Sequence, residues 1–142
     1  MLLPMSTPSG DEFSSQNISR ERYESDGVWG LLASINLYEC DRHKITDPET
    51  MRRFVFDLCK EIDMKPHGEP HIEKFGDDSL EGHSVLQFIE TSSITIHFDD
   101  KMGSRAFIDI FSCKYFDQHQ AFEFAKNYFN AQSGKVWSLI RS

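Results

Sequence analysis

The chain has 142 residues, 39% of them hydrophobic with twelve Phe, and a formal net charge of -8. That length suits one domain, because a chain of this size buries roughly two-thirds of its unfolded surface in a single core. The acidic balance, with no Lys/Arg cluster longer than two residues, argues against a nucleic-acid backbone or an anionic membrane as the main partner and leaves cationic or neutral small molecules open. No apolar run approaches the ~20 residues that span a bilayer. The opening "MLLPM" lacks a basic region and is too short in its apolar part for a secretory signal. Three cysteines, Cys40, Cys59 and Cys113, do not indicate a disulfide framework, so a reduced, cytoplasmic protein is expected.

Residues 1–26 are rich in Ser, Pro and charge without a sustained period, and read as a flexible N-terminal extension to a domain over 27–142. From Gly30, "GLLASINLYEC" predicts a first strand. "DPETMRRFVFDLCKEIDM" predicts a helix: Asp47 is its N-cap, Pro48 its first residue, and Met51, Phe54, Val55, Leu58, Cys59 and Ile62 fall on one face. "KPHGEPHIEKFGDDSLEGH" reads as loop with a short strand from His71 to Phe75. Three strands follow, "SVLQFIE", "SITIHF" and "AFIDIFSC", the last two joined by the hairpin "DDKMGSR" and paired antiparallel. "DQHQAFEFAKNYFNAQ" predicts a second helix with an Asp117/Gln120 capping box and a face of Ala121, Ala125, Tyr128 and Phe129. Gly134 is expected to end it, before a closing strand "KVWSLI". The order describes an α+β two-layer sandwich, an antiparallel sheet with two helices on one face.

If Ile94, Ile96, Ala106, Ile108 and Ile110 face the helices, alternation puts Ser93, Thr95, His97, Phe107, Asp109, Phe111 and Cys113 on the other face. Two adjacent Phe among polar groups suggest a covered surface. The simplest cover is a second copy, which would give a sheet-to-sheet αββα homodimer. A Ser92-His97-Asp109 triad lacks the G-x-S-x-G turn that would expose its serine. His67, His71 and His83 lack metal-ligand spacing, since Gly-Glu-Pro between the first two precludes a helical pair; no metal is expected. Cys40 and Cys59 read as structural thiols.

Ser92, His97 and Cys113 remain, around one hairpin. The segment "HSVLQFIETSSITIHFDDKMGSRAFIDIFSC" resembles the core of the prokaryotic-type S-adenosylmethionine decarboxylases, and "INLYECD" is similar to that family's first strand; the likeness runs from about Gly30 to Ser142. Ser84 stands eight residues before Ser92 and His97 five after it, as in the family. Asp109-Ile-Phe-Ser-Cys113 comes one residue late, an insertion that the hairpin loop tolerates.

The resemblance implies a self-cleaving enzyme. Ser92 would attack the carbonyl of Thr91 with Ser84 and His97 assisting, and His97 would take the Cα proton. Elimination would leave a pyruvoyl cofactor on residue 92. That group would form a Schiff base with S-adenosylmethionine and accept electrons as carbon dioxide leaves. Cys113 would reprotonate the product carbon, in a site between the sheets of a dimer. Thr91 replaces the family's Glu, Ser93 its following His, and Lys101 its ribose-binding Glu. Asp99 or Asp100 would then serve the ribose, and Phe75 would stack on adenine. Two other readings stay open: an unprocessed paralogue binding an adenosyl or polyamine ligand as a regulatory subunit, and a pyruvoyl decarboxylase of arginine or ornithine, whose cationic side chain Asp99 and Asp100 would suit.

Overall fold

The computed structural model describes residues 10–13, 16–25 and 27–142, with only the backbone of residues 12 and 13. In chain order the elements are β1 (Glu12–Phe13), α1 (Arg20–Ser25), β2 (Gly30–Tyr38), α2 (Pro48–Glu61), β3 (His71–Phe75), β4 (Gly82–Ile89), β5 (Ser92–Asp99), β6 (Arg105–Ser112), α3 (Gln118–Tyr128) and β7 (Ser133–Arg141). They build one sheet in the order β1-β7-β2-β6-β5-β4-β3, antiparallel throughout except for the two-residue β1, which pairs parallel with β7. β3 to β6 form a meander, while β2 inserts between β6 and β7. No helix among the described residues is long and apolar enough to cross a membrane.

Both long helices lie on one face, as the alternation requires. The α2 face Met51, Phe54, Val55, Leu58 and Cys59 is buried against Ile94, Ile96, Ala106, Ile108 and Ile110 of the sheet, in one continuous core. Asp47 caps α2 by accepting the Thr50 N–H at 3.3 Å. Phe54 and Phe129 meet with ring centres 4.7 Å apart, and Phe98 closes on Phe129 at 5.4 Å. Each such ring contributes about 1.5–3 kcal/mol by leaving water.

The α3 region departs from the sequence reading in three places. Asp117 does cap the Gln120 N–H (3.0 Å), but the Gln120 side chain reaches across to Glu61 instead of completing a capping box. Phe122 joins the core in full, whereas Tyr128 sits at the rim and donates to Asp57 at 3.0 Å. The helix stops at Asn130, which takes the left-handed φ of 51° that Asn tolerates. Gly134 lies instead inside β7, where a Cβ would sit 2.6 Å from the Asn36 carbonyl and 2.7 Å from the Phe122 ring, so only glycine lets strand and helix approach.

The segment read as a flexible extension differs as well, where it is described. Ile18 and Tyr23 are buried with the core, and α1 forms around Tyr23. Its anchors are contacts about a hundred residues away, which no local period reveals. Residues 1–9, 14, 15 and 26 of that expectation lie outside the described residues.

Among the described residues, the sheet's other face carries no helix. Cross-strand register aligns Glu73, Ser84, His97, Phe107, Asn36 and Lys135 in one row. A further row runs through Phe88, Ser93, Phe111, Leu32 and Leu139. Phe88, Trp137 and Leu139 are exposed there, and Trp29, itself exposed, stacks on Phe111 at 5.8 Å.

Candidate active site

The β4–β5 hairpin closes on the Ile89–Ser92 pair, leaving Glu90 and Thr91 as its turn. So short a turn needs a residue at positive φ, normally Gly or Asn. Here Thr91 takes φ 62°. A β-branched side chain in that conformation stores strain of order 1–3 kcal/mol, and it does so at the residue whose carbonyl precedes Ser92.

Ser92 is held against that carbonyl. Its Oγ donates to the Thr91 oxygen at 2.7 Å and accepts the Cys113 N–H at 2.9 Å. Continuing the β5–β6 register beyond Ser93–Phe111 sets Cys113 opposite Thr91, and the Cys113 thiol touches Thr91 Oγ1. Thr91 Oγ1 spends its own proton on the Glu90 carbonyl (2.7 Å), so its lone pairs face the thiol. Cys113 therefore lies just beyond the end of β6, against the turn of the β4–β5 hairpin.

Cys113 also lines a cavity of about 770 Å³ on the helix side, together with Phe56, Cys59, Met64, Glu90 and Thr91. Cys113 is partly exposed, while burial pushes the Cys40 thiol up to about 12 and that of Cys59 up to about 11. Those two stay protonated and unreactive at neutral pH.

Ser84 and His97 form a second pair. Directly opposite across β4–β5, they bring Ser84 Oγ within 2.8 Å of His97 Nδ1. His97 is nevertheless five strand positions from Ser92, roughly 16 Å at ~3.3 Å per residue. An odd separation also turns the two side chains to opposite faces. The chain thus brings Thr91, Ser92 and Cys113 together, brings Ser84 and His97 together, and keeps the two groups apart. A Ser92-His97-Asp109 triad is not formed; Asp109 is exposed opposite Thr95.

The other candidates cluster near the second pair. Phe75 is exposed on edge strand β3, opposite Gly82 and two residues from Glu73, which faces Ser84. Asp99 follows His97 on the same face, but Arg105 grips it at 2.6 Å, and it accepts the Met102 N–H at 2.9 Å to shape the hairpin. Asp100 is buried beside Lys101 at 3.4 Å, and its carbonyl accepts from Arg42. Glu73 was missed from sequence. The alternation of "HIEKF" would have shown it pointing the same way as Phe75, but not that Ser84 lies opposite.

Residues 32–142 match the family model described as S-adenosylmethionine decarboxylase. No curated protein matches the chain. Among solved structures, the crystal structure of the adenosylmethionine decarboxylase from Aquifex aeolicus superposes with a TM-score of 0.68 at 19% identity, covering 81% of this chain and 92% of that one. At that identity the likeness speaks for the α+β sandwich. The family match itself runs from within β2 to the C-terminus and takes in both polar groups of the sheet. The chain belongs to the S-adenosylmethionine decarboxylase family.

Proposed function

We propose that this chain is a self-cleaving, pyruvoyl-dependent decarboxylase of S-adenosylmethionine that serves polyamine (spermidine) synthesis in the cytoplasm. The observation that carries the reading is Ser92 Oγ, set 2.7 Å from the Thr91 carbonyl oxygen and fixed by the Cys113 N–H. Attack of Oγ on the Thr91 carbonyl carbon forms an ester and breaks the peptide C–N bond, while the hydroxyl proton passes to the freed Ser92 amine. Strain at Thr91 favours this shift, because the rigid peptide that enforces φ 62° is exchanged for an ester. Loss of the Ser92 Cα proton then expels Thr91 as a carboxylate. The dehydroalanine that remains tautomerises to an imine and exchanges ammonia for water, which leaves the pyruvoyl group.

The residues present fit such a group: it is made from Ser92, and Cys113 already lies beside that position. Once formed, the group supplies the electron sink for loss of carbon dioxide. Cys113 holds a proton next to residue 92 for delivery to the product carbon, and its present partner, Thr91, departs with the cleaved strand. Phe75 offers a ring for adenine on the open face. Asp99 and Asp100 could meet the ribose hydroxyls only by loosening Arg105 and Lys101, so Glu73, exposed opposite Ser84, is the readier carboxylate.

A base for the Cα proton is the missing part, since the chain's own His97 is roughly 16 Å away. A homodimer supplies it. Two sheets stacked face to face about a two-fold axis would bury Phe88, Phe111, Trp137 and Leu139 and bring Ser84 and His97 of each copy toward the end of the sheet where the β4–β5 turn of the other lies.

The decisive experiment is a denaturing intact-mass spectrum of the purified chain. Two fragments meeting at Thr91/Ser92, the second beginning with the pyruvoyl mass, support the proposal; one chain that stays whole on long incubation sinks it in favour of a ligand-binding paralogue. If the chain is cut but releases carbon dioxide from arginine or ornithine and not from S-adenosylmethionine, the chemistry stands and the substrate changes.

A further inference from the structure

The segment that precedes the family match is tied to the loop that carries Cys113. The first amides of α3, those of Gln118 and His119, need acceptors that the helix itself does not supply. Asn17 Oδ1 accepts both, at 3.1 and 3.3 Å, while Asn17 Nδ2 donates to Asp117 Oδ1 at 3.1 Å. Asp117 accepts the Gln120 amide, so α3 has one cap from its own neighbour and another from a residue about a hundred positions away. Gln118, fully buried, holds the Ile18 backbone from both sides. Its Oε1 accepts the Ile18 N–H at 2.6 Å, and its Nε2 donates to the carbonyls of Ile18 at 3.1 Å and Phe116 at 2.6 Å. Tyr115 donates its hydroxyl to the same Ile18 carbonyl at 2.9 Å, and Arg20 lies 4.8 Å over its ring.

These bonds converge on residues 115–119, and only residues 113–117 separate β6 from α3. Within that loop Ser112 Oγ accepts the Lys114 N–H at 2.9 Å and donates to the Lys114 carbonyl at 2.8 Å, which leaves little slack between Cys113 and Tyr115. At the near end the Cys113 N–H donates to Ser92 Oγ at 2.9 Å, and Ser92 Oγ donates to the Thr91 carbonyl at 2.7 Å. An unbroken run of hydrogen bonds and short backbone thus leads from Asn17 and Ile18 to the nucleophile. The segment's other attachment leads elsewhere: Asp11 pairs with Lys126 at 2.7 Å in the last turn of α3 and accepts the Gly134 N–H at 3.0 Å in β7.

We propose that Asn17, Ile18 and Gln118 are positioning residues for self-cleavage, fixing the Cys113 loop so that its N–H aims Ser92 Oγ at the Thr91 carbonyl. The working unit then begins ahead of the residues that match the family. This rests on the self-cleavage reading given above and adds to it a dependence on the N-terminal segment.

The test follows the Thr91/Ser92 cut by intact mass during cell-free synthesis of the full chain, alongside the melting temperature. Asn17→Ala unties the loop end and should slow cleavage about tenfold, because a small misplacement of a reacting group costs that much or more. Tyr115→Phe keeps the ring, loses one hydrogen bond and should slow cleavage about threefold. Asp11→Ala unties the far end: it should lose about 3–6 °C of melting temperature, as Asn17→Ala does, yet cleave at the parent rate. Equal rates in all four chains overturn the proposal, and so does slowing that follows the loss of melting temperature whichever end is untied. A parent chain that is never cut removes the self-cleavage reading and this role with it, whereas a cut parent with unaffected variants removes this role alone. Hydrogen exchange of the 112–118 backbone, read by mass on the same chains, should speed several-fold in Asn17→Ala and stay at the parent level in Asp11→Ala; parent-level exchange in both would overturn the positioning role.

Discussion

Two polar groups on one hairpin are held in different ways. Thr91, Ser92 and Cys113 are fixed largely through the backbone: a two-residue turn, a left-handed Thr91, and a Cys113 N–H that determines where Ser92 Oγ points. Ser84 and His97 are set opposite each other by the β4–β5 register and joined through their side chains, on the open face, which no helix covers among the described residues. The first arrangement suits a reaction within the chain, where a nucleophile must rest on one particular carbonyl. The second suits a reagent presented to something else. On the proposed reading, keeping the groups roughly 16 Å apart would leave the chemistry incomplete until copies associate, which would tie processing to assembly.

The contrast breaks most completely at Ser92. Ser92→Ala should abolish cleavage, leaving a single species at the 16.5 kDa of the intact chain in a mass spectrum. Cys113→Ala should still be cut, yet lose about a hundredfold or more of its turnover, as expected when a positioned acid is removed. If the two groups meet only between copies, co-expressing Ser92→Ala with His97→Ala should restore cutting of the His97→Ala chain, which stays whole when expressed alone. Persistent failure of that mixture would put His97 to work on its own chain.

Leu139→Glu adds a charge to an exposed position on the open face. Sedimentation should show a shift toward monomer, and cleavage should slow at least about tenfold in parallel. Smaller again, Thr91→Gly relieves the left-handed strain and should slow cleavage about three- to tenfold, the equivalent of roughly 1 kcal/mol; an unchanged rate would show that the strain is not used.

The smallest effect concerns the core. Cys40, raised to about 12, stays neutral in the folded chain while the unfolded thiol ionises above its ordinary 9.0. Stability from this group is therefore complete below pH 9 and declines as pH rises toward 12, by about 1 kcal/mol at pH 10. Cys40→Ala should flatten the alkaline slope of the melting temperature.

Much of this was readable from local pattern. Alternation at Ile94, Ile96, Ala106, Ile108 and Ile110 identified the helix-facing side, Asp47 and Pro48 marked the start of α2, and the spacing of Ser84, Ser92, His97 and Cys113 carried the family. The opposite facing of Ser92 and His97 was readable too, since five is an odd number of strand steps. The hydrogen bonds that join Asn17 and Ile18 to Gln118 were not, because each partner is an ordinary residue until a contact about a hundred residues long joins them. Composition alone made that segment look detached, although Ile18 and Tyr23 were its anchors.

What the sequence determined by itself is what neighbours along the chain can determine: strand parity, helix faces, caps and motif spacing, all governed by backbone geometry over a few residues. Only the tertiary structure decided that Glu73 lies opposite Ser84, that Thr91 is strained, that Cys113 turns its thiol to Thr91, and that Tyr23 is buried against Tyr115. Those outcomes depend on strand register and on which distant segments share a core, and both are settled by the burial of the whole apolar surface at once.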